Sequence, residues 1–193
     1  MTRHNDVDLN ALTDEQQAVA DAIAGGPRGS LRGPFVPWLL SPEMADHAQQ
    51  LGGFLRYRTS LPDRLKELAI LFTARHWDAE FEWYAHAPMA MEAGLSRSVV
   101  DAIAAGREPD FDERDEALIY TFCREIYETK RVSNETNNQV AVLFGQRGVA
   151  ELVGVLGYYV LVSMTLNAFE VEAPDDGVVP PLQPTSSAAP TDN

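Results

Sequence analysis

Apolar residues recur along most of the chain at the three- and four-residue spacing of amphipathic helices, and residues that begin or end helices punctuate the pattern. Thr13 followed by Gln16 is a capping box, and Ser41 followed by Pro42 is typical of a first helical turn. Later helices are predicted to open at capping residues: Ser60, Asp78, Ser96, Asp112 and Ser133. The pattern predicts helices over residues 13–25, 41 to 53 or 57, 60–75, 78–93, 96–106, 112–130, 133–145 and 148–169. No alternating run is long enough to compete as a strand, so we predict an all-α fold.

Proline and glycine mark two irregular places in this pattern. Residues 27–42 contain several of both around large apolar residues, which predicts an ordered, apolar loop between the first two helices. Pro88 lies inside the fourth predicted helix and lacks the amide hydrogen that would bond to the carbonyl of Tyr84. We therefore expect a kink at this proline.

The last predicted helix contains an uncharged stretch, residues 152–169, whose length is at the lower limit for a membrane span. The stretch includes glycine, serine, threonine and asparagine, it is bounded by Glu151 and Glu170, and no cluster of basic residues flanks it. A helix that is apolar all round is either a membrane span or a core element. We interpret this one as a buried helix of a water-soluble protein that does not bind membranes.

Composition and length favour one globular domain. The chain has 193 residues, of which 45% are apolar and 23% are charged, values that exclude a fully disordered chain, a collagen-like repeat and a disulfide scaffold. A chain of this length can bury a substantial core. We predict a single helical domain over residues 1–172, followed by a disordered tail over 173–193, where proline, serine and aspartate are concentrated.

The net charge limits which partners we expect, and the cysteine content limits the expected cellular compartment. The formal net charge of −14 repels phosphate backbones and anionic lipid headgroups, so we expect no nucleic-acid partner. The only cysteine, Cys123, has no partner for an internal disulfide, and the N-terminal residues lack the apolar stretch of a secretory signal. These features predict a cytoplasmic protein.

The third predicted helix has apolar residues on two opposite sides, and the carboxylate of Glu67 falls on one of them. Its neighbours on that side are Ile70, Leu71 and Ala74. A carboxylate in such surroundings is either paired with a cation or has its pKa raised by burial. The alternative is a surface ion pair with Arg64 or Lys66.

The fourth predicted helix carries Glu82 and His86, which are four residues apart and therefore share a face. A carboxylate can orient an imidazole and raise its basicity, while the free ring nitrogen exchanges protons near neutral pH. The pattern thus indicates a candidate acid–base pair. A Glu–His pair that only bridges two packed helices fits the same spacing.

Other chemistries have weaker support. Glu67, Glu82 and His86 could together bind a metal, but the familiar zinc and di-iron spacings are absent, and we expect no metal and no cofactor. Cys123 has no partner signature for nucleophilic catalysis, so we interpret it as a packing residue. Phosphate-binding glycine loops are also missing.

Three segments in fixed order, LKELAIL (65–71), AEFEWYAH (79–86) and AMEAGLS (90–96), resemble the carboxymuconolactone decarboxylase family, which includes the alkylhydroperoxidase D-like proteins. The resemblance extends over about residues 34–171. It implies an alkylhydroperoxidase D-like helical bundle that assembles as a trimer or hexamer, with its pocket near the subunit contacts.

The peroxidase branch of that family has an upstream glutamate followed by Cys-x-x-Cys-x-x-x-His. Glu67 matches the glutamate and His86 the histidine, whereas Ala79 and Glu82 stand where the two cysteines would be. Peroxide reduction needs a thiolate and a resolving thiol, so we do not expect peroxidase activity.

The resemblance to the decarboxylase branch predicts a cofactor-independent lyase that acts on a small carboxylated lactone or keto acid. We expect His86 to donate and accept the proton, Glu82 to orient it, and Glu67 to tune or relay the proton, with Trp83 and Tyr84 lining the substrate pocket. Isomerisation, lactone hydrolysis and retro-aldol cleavage need the same proton transfer and stay open. A protein of the same fold that only binds a small molecule, or only assembles, is the alternative.

Overall fold

The computed structural model describes residues 7–175, 179 and 182–183, and within these ranges every regular element is a helix, which confirms the all-α prediction. The elements are α1 (Asp14–Ala24), α2 (Phe35–Trp38), α3 (Pro42–Tyr57), α4 (Asp63–His76), α5 (Glu80–Glu92), α6 (Arg97–Ala104), α7 (Arg114–Thr129) and α8 (Asn134–Ala168).

Helix α4 is the centre of the fold. It packs against α5, α6, α7 and α8, and ten of its fourteen residues are buried. Leu68, Ala69, Ile70 and Leu71, which point in successive directions around the helix, are all fully inaccessible to solvent. The polar residues of α4 are thereby also drawn into the interior, and these include Glu67.

Three helix starts follow the predicted capping chemistry. Thr13 and Gln16 form both hydrogen bonds of a capping box, and the hydroxyl oxygens of Ser96 and Ser133 accept from backbone amides one turn into α6 and α8. The start of α7 differs by one residue, because Glu113 occupies the cap position predicted for Asp112.

Two predicted caps are wrong, because their residues have other roles. Ser60 does not cap α4; it donates from its amide and hydroxyl to Glu151 on α8, at 2.6 and 2.7 Å, and Pro62 precedes the helix instead. Asp78 does not cap α5, which begins after Ala79. Asp78 has a positive φ of 46°, and this left-handed residue turns the chain between α4 and α5.

Two places where the sequence predicts a helix to end or bend lie inside continuous helices. Gly145, with φ 69° and ψ 172°, breaks the helical geometry inside α8, so the two helices predicted at 133–145 and 148–169 follow each other without a linker. Pro88 lies inside α5, which continues as one helix to Glu92.

The second half of α8 is only partly covered. Leu152, Val155, Val162 and Leu166 are buried in the core, whereas the opposite side exposes large apolar residues: Val153, Leu161 and Met164. Of the described helices, α8 alone is long and apolar enough to cross a membrane, and 56% of its most apolar eighteen-residue window is buried. Core helices of water-soluble proteins share these properties.

The predicted loop over 27–42 contains the short helix α2, which anchors it to the core. The indole nitrogen of Trp38 donates to the hydroxyl of Thr165 on α8 at 2.9 Å. Earlier in the loop, Gly33 has φ 62°, and a Cβ at this position would lie 2.7 Å from a ring carbon of Phe81 on α5. Glycine therefore allows the loop to lie directly over α5.

Most of the predicted tail, 173–193, falls outside the described residues. Among those that are described, Leu182 is buried and donates from its amide to a carboxylate oxygen of Glu80 at 3.2 Å. The amide of Gln183 donates to the carbonyl of Ala104 at 3.2 Å. The chain thus returns to the start of α5 and the end of α6 at this point.

Candidate active site

The structure brings the three predicted polar side chains together in the interior. The Nδ1 atom of His86 lies 2.6 Å from Oε2 of Glu67 on α4, and its Nε2 atom lies 2.9 Å from Oε1 of Glu82, one turn earlier on α5. All three residues are buried, with 3 to 6% of their surface exposed. They form a linear Glu67–His86–Glu82 chain, which we call the relay.

Glu67 does not form the surface ion pair that was its alternative interpretation. Arg64 pairs instead with Asp115 on α7 at 2.8 Å, and Lys66 pairs with Asp63 at 2.6 Å. Both cations are therefore engaged elsewhere, and the carboxylate of Glu67 is directed to His86.

The two carboxylates hold His86 in its protonated form. Burial alone would lower the pKa of the imidazole, but the attraction and hydrogen bonds of Glu67 and Glu82 outweigh it and raise the pKa to about 9. At neutral pH both ring nitrogens carry hydrogens, and each donates to one carboxylate. No ring nitrogen is free, which differs from the arrangement expected from the sequence.

Glu82 and His86 open onto a cavity of about 210 Å³. The cavity lies between the 27–34 loop, the end of α3, one side of α5 over 81–89 and the middle of α8. This volume corresponds to about seven water molecules, which suits a ligand of roughly ten non-hydrogen atoms. The relay therefore meets a space of metabolite size.

Three arginines line this cavity: Arg28 and Arg32 from the loop, and Arg56 from the end of α3. Within the described ranges none of them forms an ion pair with a carboxylate. The Nη2 atom of Arg56 donates to a weak acceptor, Sδ of Met89, at 2.9 Å. Among the described residues that line the cavity, Glu82 is the only acidic one, and it is hydrogen-bonded to His86.

Two tyrosines of α8 complete the wall nearest the relay. The ring of Tyr159 meets that of His86 edge-on, with centroids 5.1 Å apart. Burial and, next, the charge of Glu82 raise the pKa of Tyr159 well above its usual value, and burial raises the pKa of Tyr158 to about 12. Both hydroxyls thus stay protonated at neutral pH and can donate hydrogen bonds.

Trp83 and Tyr84 are not in this cavity, which corrects the prediction that they line the pocket of the relay. Successive helical residues point about 100° apart, and these two face a separate cavity of about 860 Å³ beside the end of α8 and the chain after it. The indole nitrogen of Trp83 is buried without a hydrogen-bond partner in the described part of the chain. The residue directly after Glu82 is therefore directed away from the relay.

The arginines and tyrosines of the cavity wall were not predicted from the sequence as site residues. A signal for the tyrosines exists, since Tyr158 and Tyr159 are the only titratable residues in the uncharged stretch 152–169. The arginines have no such signal. Arg28 and Arg32 lie in a loop, and their approach to α5 depends on tertiary packing.

Cys123 lies in α7, fully buried in the core, and burial raises the pKa of its thiol. A thiol in these surroundings is not a thiolate near neutral pH. In the described ranges, no group of three metal-ligating side chains has the geometry to hold a metal ion. In the relay itself, both nitrogens of the imidazole are already bonded to carboxylates.

No protein-family model matches this chain, and a search of curated proteins found no significant match. The interpretation of the site therefore depends on its geometry.

Proposed function

We propose that this protein is a cofactor-independent lyase of the decarboxylase type, acting on a small carboxylated lactone or keto acid in the cytoplasm. The observation that carries the proposal is the protonated relay of Glu67, His86 and Glu82, which opens onto a cavity lined by three arginines. The relay supplies a proton, and the cavity favours an anion.

The proposed reaction breaks the bond between the substrate's carboxylate carbon and its neighbour. The electron pair of that bond moves onto the adjacent carbonyl, so that CO₂ leaves and an enolate remains. Carbon then takes a proton from Glu82, which receives it from Nε2 of His86, while Glu67 keeps the other imidazole hydrogen in place. Protonated Tyr159 and a nearby guanidinium group stabilise the enolate oxygen by hydrogen bonding and charge.

In this proposal Glu82 is the group that touches the substrate, because both nitrogens of His86 are occupied and Glu82 lies in the cavity wall. His86 stores the proton. Afterwards the neutral imidazole takes up a proton from solvent and the relay is reset. Isomerisation and retro-aldol cleavage would use the same transfer and remain variants of this proposal.

We further propose that the chain belongs to the carboxymuconolactone decarboxylase family as a branch that lacks the paired cysteines. The order of segments 65–71, 79–86 and 90–96 supports this, as does the placement of Glu67 against His86. Peroxide reduction is not proposed, because the only cysteine, Cys123, is a buried thiol with a raised pKa.

A homo-oligomer, a trimer or hexamer, is part of the same proposal. The partly exposed apolar face of α8, which includes Val153, Leu161 and Met164, supports it, since such a face is usually covered by a partner. Sedimentation of the purified protein would measure the number of subunits.

Non-catalytic ligand binding or assembly is the second candidate. The observation that favours it is the depth of the relay, because a fully satisfied buried polar network can serve only to fix the packing of α4 on α5.

The test is a screen of carboxylated lactones and keto acids in which products are identified by mass. Loss of CO₂ indicates a lyase and gain of water a hydrolase. His86→Ala should lower turnover by about 10² to 10⁴. Glu92→Gln, which alters an exposed carboxylate on the same helix, is the matched control and should be unchanged. An unaltered rate in His86→Ala, or no product from any acid, contradicts the proposal.

A further inference from the structure

The corner of the cavity formed by Arg28, Arg56 and Tyr158 has properties that proton transfer does not require. Arg28 lies in the loop before α2, Arg56 near the end of α3, and Tyr158 in the middle of α8. Three separate elements thus converge on one place beside the relay.

Gly52 shows how closely these groups approach. It lies in α3 one turn before Arg56, and a Cβ at this position would be 2.1 Å from the hydroxyl oxygen of Tyr158 and 2.6 Å from Nη2 of Arg28. Residues one helical turn apart have Cβ atoms about 6 Å apart. The side chain of Arg28 therefore reaches the same face of α3 as that of Arg56, and glycine leaves the room for it.

The donors at this corner lack acceptors. Nη2 of Arg28 and the hydroxyl of Tyr158 are buried and lie beside each other, and neither has a carboxylate or carbonyl oxygen of the described residues as a hydrogen-bond acceptor. The guanidinium carbon of Arg28 lies over the ring of Phe35, 4.6 Å from the ring centroid, and this cation–π contact uses none of the guanidinium hydrogens as hydrogen-bond donors. Buried donors without acceptors are unusual in folded proteins and indicate an absent partner.

The positive charge at this corner indicates that the absent partner is negatively charged. The chain has 29 acidic and 15 basic residues, yet two guanidinium groups share this corner and no carboxylate of the described residues pairs with either. Arg32, which is exposed at the same cavity, adds a third positive charge. Adjacent like charges are stabilised by an anion between them.

We propose that Arg28, Arg56 and Tyr158 form an anion subsite that binds a carboxylate group of a small organic acid. The planar guanidinium groups match the two oxygens of a carboxylate, and the Tyr158 hydroxyl supplies a further donor. The remainder of the acid lies in the cavity toward Glu82 and His86. Binding at this subsite does not need the relay to be active, so the two proposals can fail separately.

The experiment is calorimetric titration of the full chain at low salt with acetate, succinate and benzoate, and with inorganic phosphate as a different anion. We expect at least one carboxylate to bind. Arg28→Gln and Arg56→Gln should each weaken its binding about 10- to 100-fold, since each removes a charge-assisted pair. Arg58→Gln, which alters an exposed arginine just after α3, is the matched control and should bind as the unmodified protein does.

Gly52→Ala is a second variant that keeps every charge. Its new methyl group would displace Nη2 of Arg28 and the Tyr158 hydroxyl, so carboxylate binding should fall although both arginines are present. Thermal unfolding with and without the acid checks that each variant is folded and whether the acid stabilises it.

Binding that is equal in Arg28→Gln, Arg56→Gln and the unmodified protein overturns the subsite, as does the absence of binding by every carboxylate. Binding of phosphate alone overturns the assignment to carboxylates. If carboxylates bind through the two arginines but no acid is turned over, the subsite stands and the proposed lyase activity fails.

Discussion

Raising the pH from 6.5 to 9.5 should destabilise the folded protein by about 3 kcal/mol through His86 alone. The pKa of this imidazole is raised from 6.5 in the unfolded chain to about 9 in the fold, where Glu67 and Glu82 hold its protonated form. A group whose pKa is raised by folding contributes its full stabilisation below the unfolded pKa. The contribution is then lost as the pH rises through the folded value.

The magnitude follows from the difference between the two pKa values, because each unit corresponds to about 1.4 kcal/mol. His76 behaves in the opposite way, because burial lowers its pKa in the fold. The free energy of unfolding therefore rises with pH as His76 loses its proton, at pH values below the ordinary pKa of histidine. The window from pH 7 to 9.5 therefore separates His86 from His76. Cys123 adds a loss of stability in the same window, because its thiol ionises at about pH 8.5 in the unfolded chain and stays protonated in the fold, but this loss is common to the unmodified protein and the relay variants.

The assay is urea unfolding at a series of pH values, with the free energy of unfolding taken from each curve. Glu67→Gln is the informative variant, because it keeps the shape and a hydrogen-bond acceptor but removes one of the two charges that raise the pKa of His86. Its decline over the window should be smaller than that of the unmodified protein. Glu92→Gln, exposed on α5, should show the full decline.

A free energy of unfolding that stays constant between pH 7 and 9.5 would refute this reasoning. So would a decline of the same size in Glu67→Gln, because the effect would then come from groups outside the relay.

Two further predictions concern residues around the site. Cys123 should not react with a thiol reagent in the native protein at pH 8 but should react fully in denaturant, because burial raises the pKa of its thiol; rapid native labelling would contradict this. Gly33→Ala should lower the free energy of unfolding by at least about 2 kcal/mol, because Gly33 has a positive φ and its new methyl group would collide with Phe81. Gly29→Ala should lower it by only about 1 kcal/mol, because Gly29 has a similar φ but open space around it. Urea unfolding measures both values, and equal losses would show that the contact with Phe81 does not matter.

Part of the site was predictable from helical periodicity, whereas the meeting of Glu67 with Glu82 and His86 was implied only by the family resemblance. Glu82 and His86 are one turn apart, and Glu67 lies on an apolar side of a helix that had to be covered. Spacing alone did not decide the partner of Glu67, because His86, Arg64 and Lys66 could each contact its carboxylate. In the structure Asp115 on α7 pairs with Arg64, and Asp63 at the start of α4 pairs with Lys66, so Glu67 is left to pair with His86.

The wall of the cavity was not predictable in the same way. Trp83 follows Glu82 directly, and only the rotation of α5 against α4 decides which of the two faces the cavity. Arg28 reaches the site because glycines at 33 and 52 allow a loop and a guanidinium group to approach two helices closely. Such contacts join residues distant in sequence and leave no local pattern.

The central claim is that Glu82 passes the proton of His86 to substrate carbon. Its most direct test uses the acid found in the mass screen as the substrate in deuterated water. The measured quantity is the rate at which deuterium appears in the product, on the carbon that has lost CO₂. We expect Glu82→Gln to lower this rate by about 10² to 10⁴ while Glu92→Gln leaves it unchanged. Deuterium incorporation by Glu82→Gln at the rate of the unmodified protein would contradict the claim.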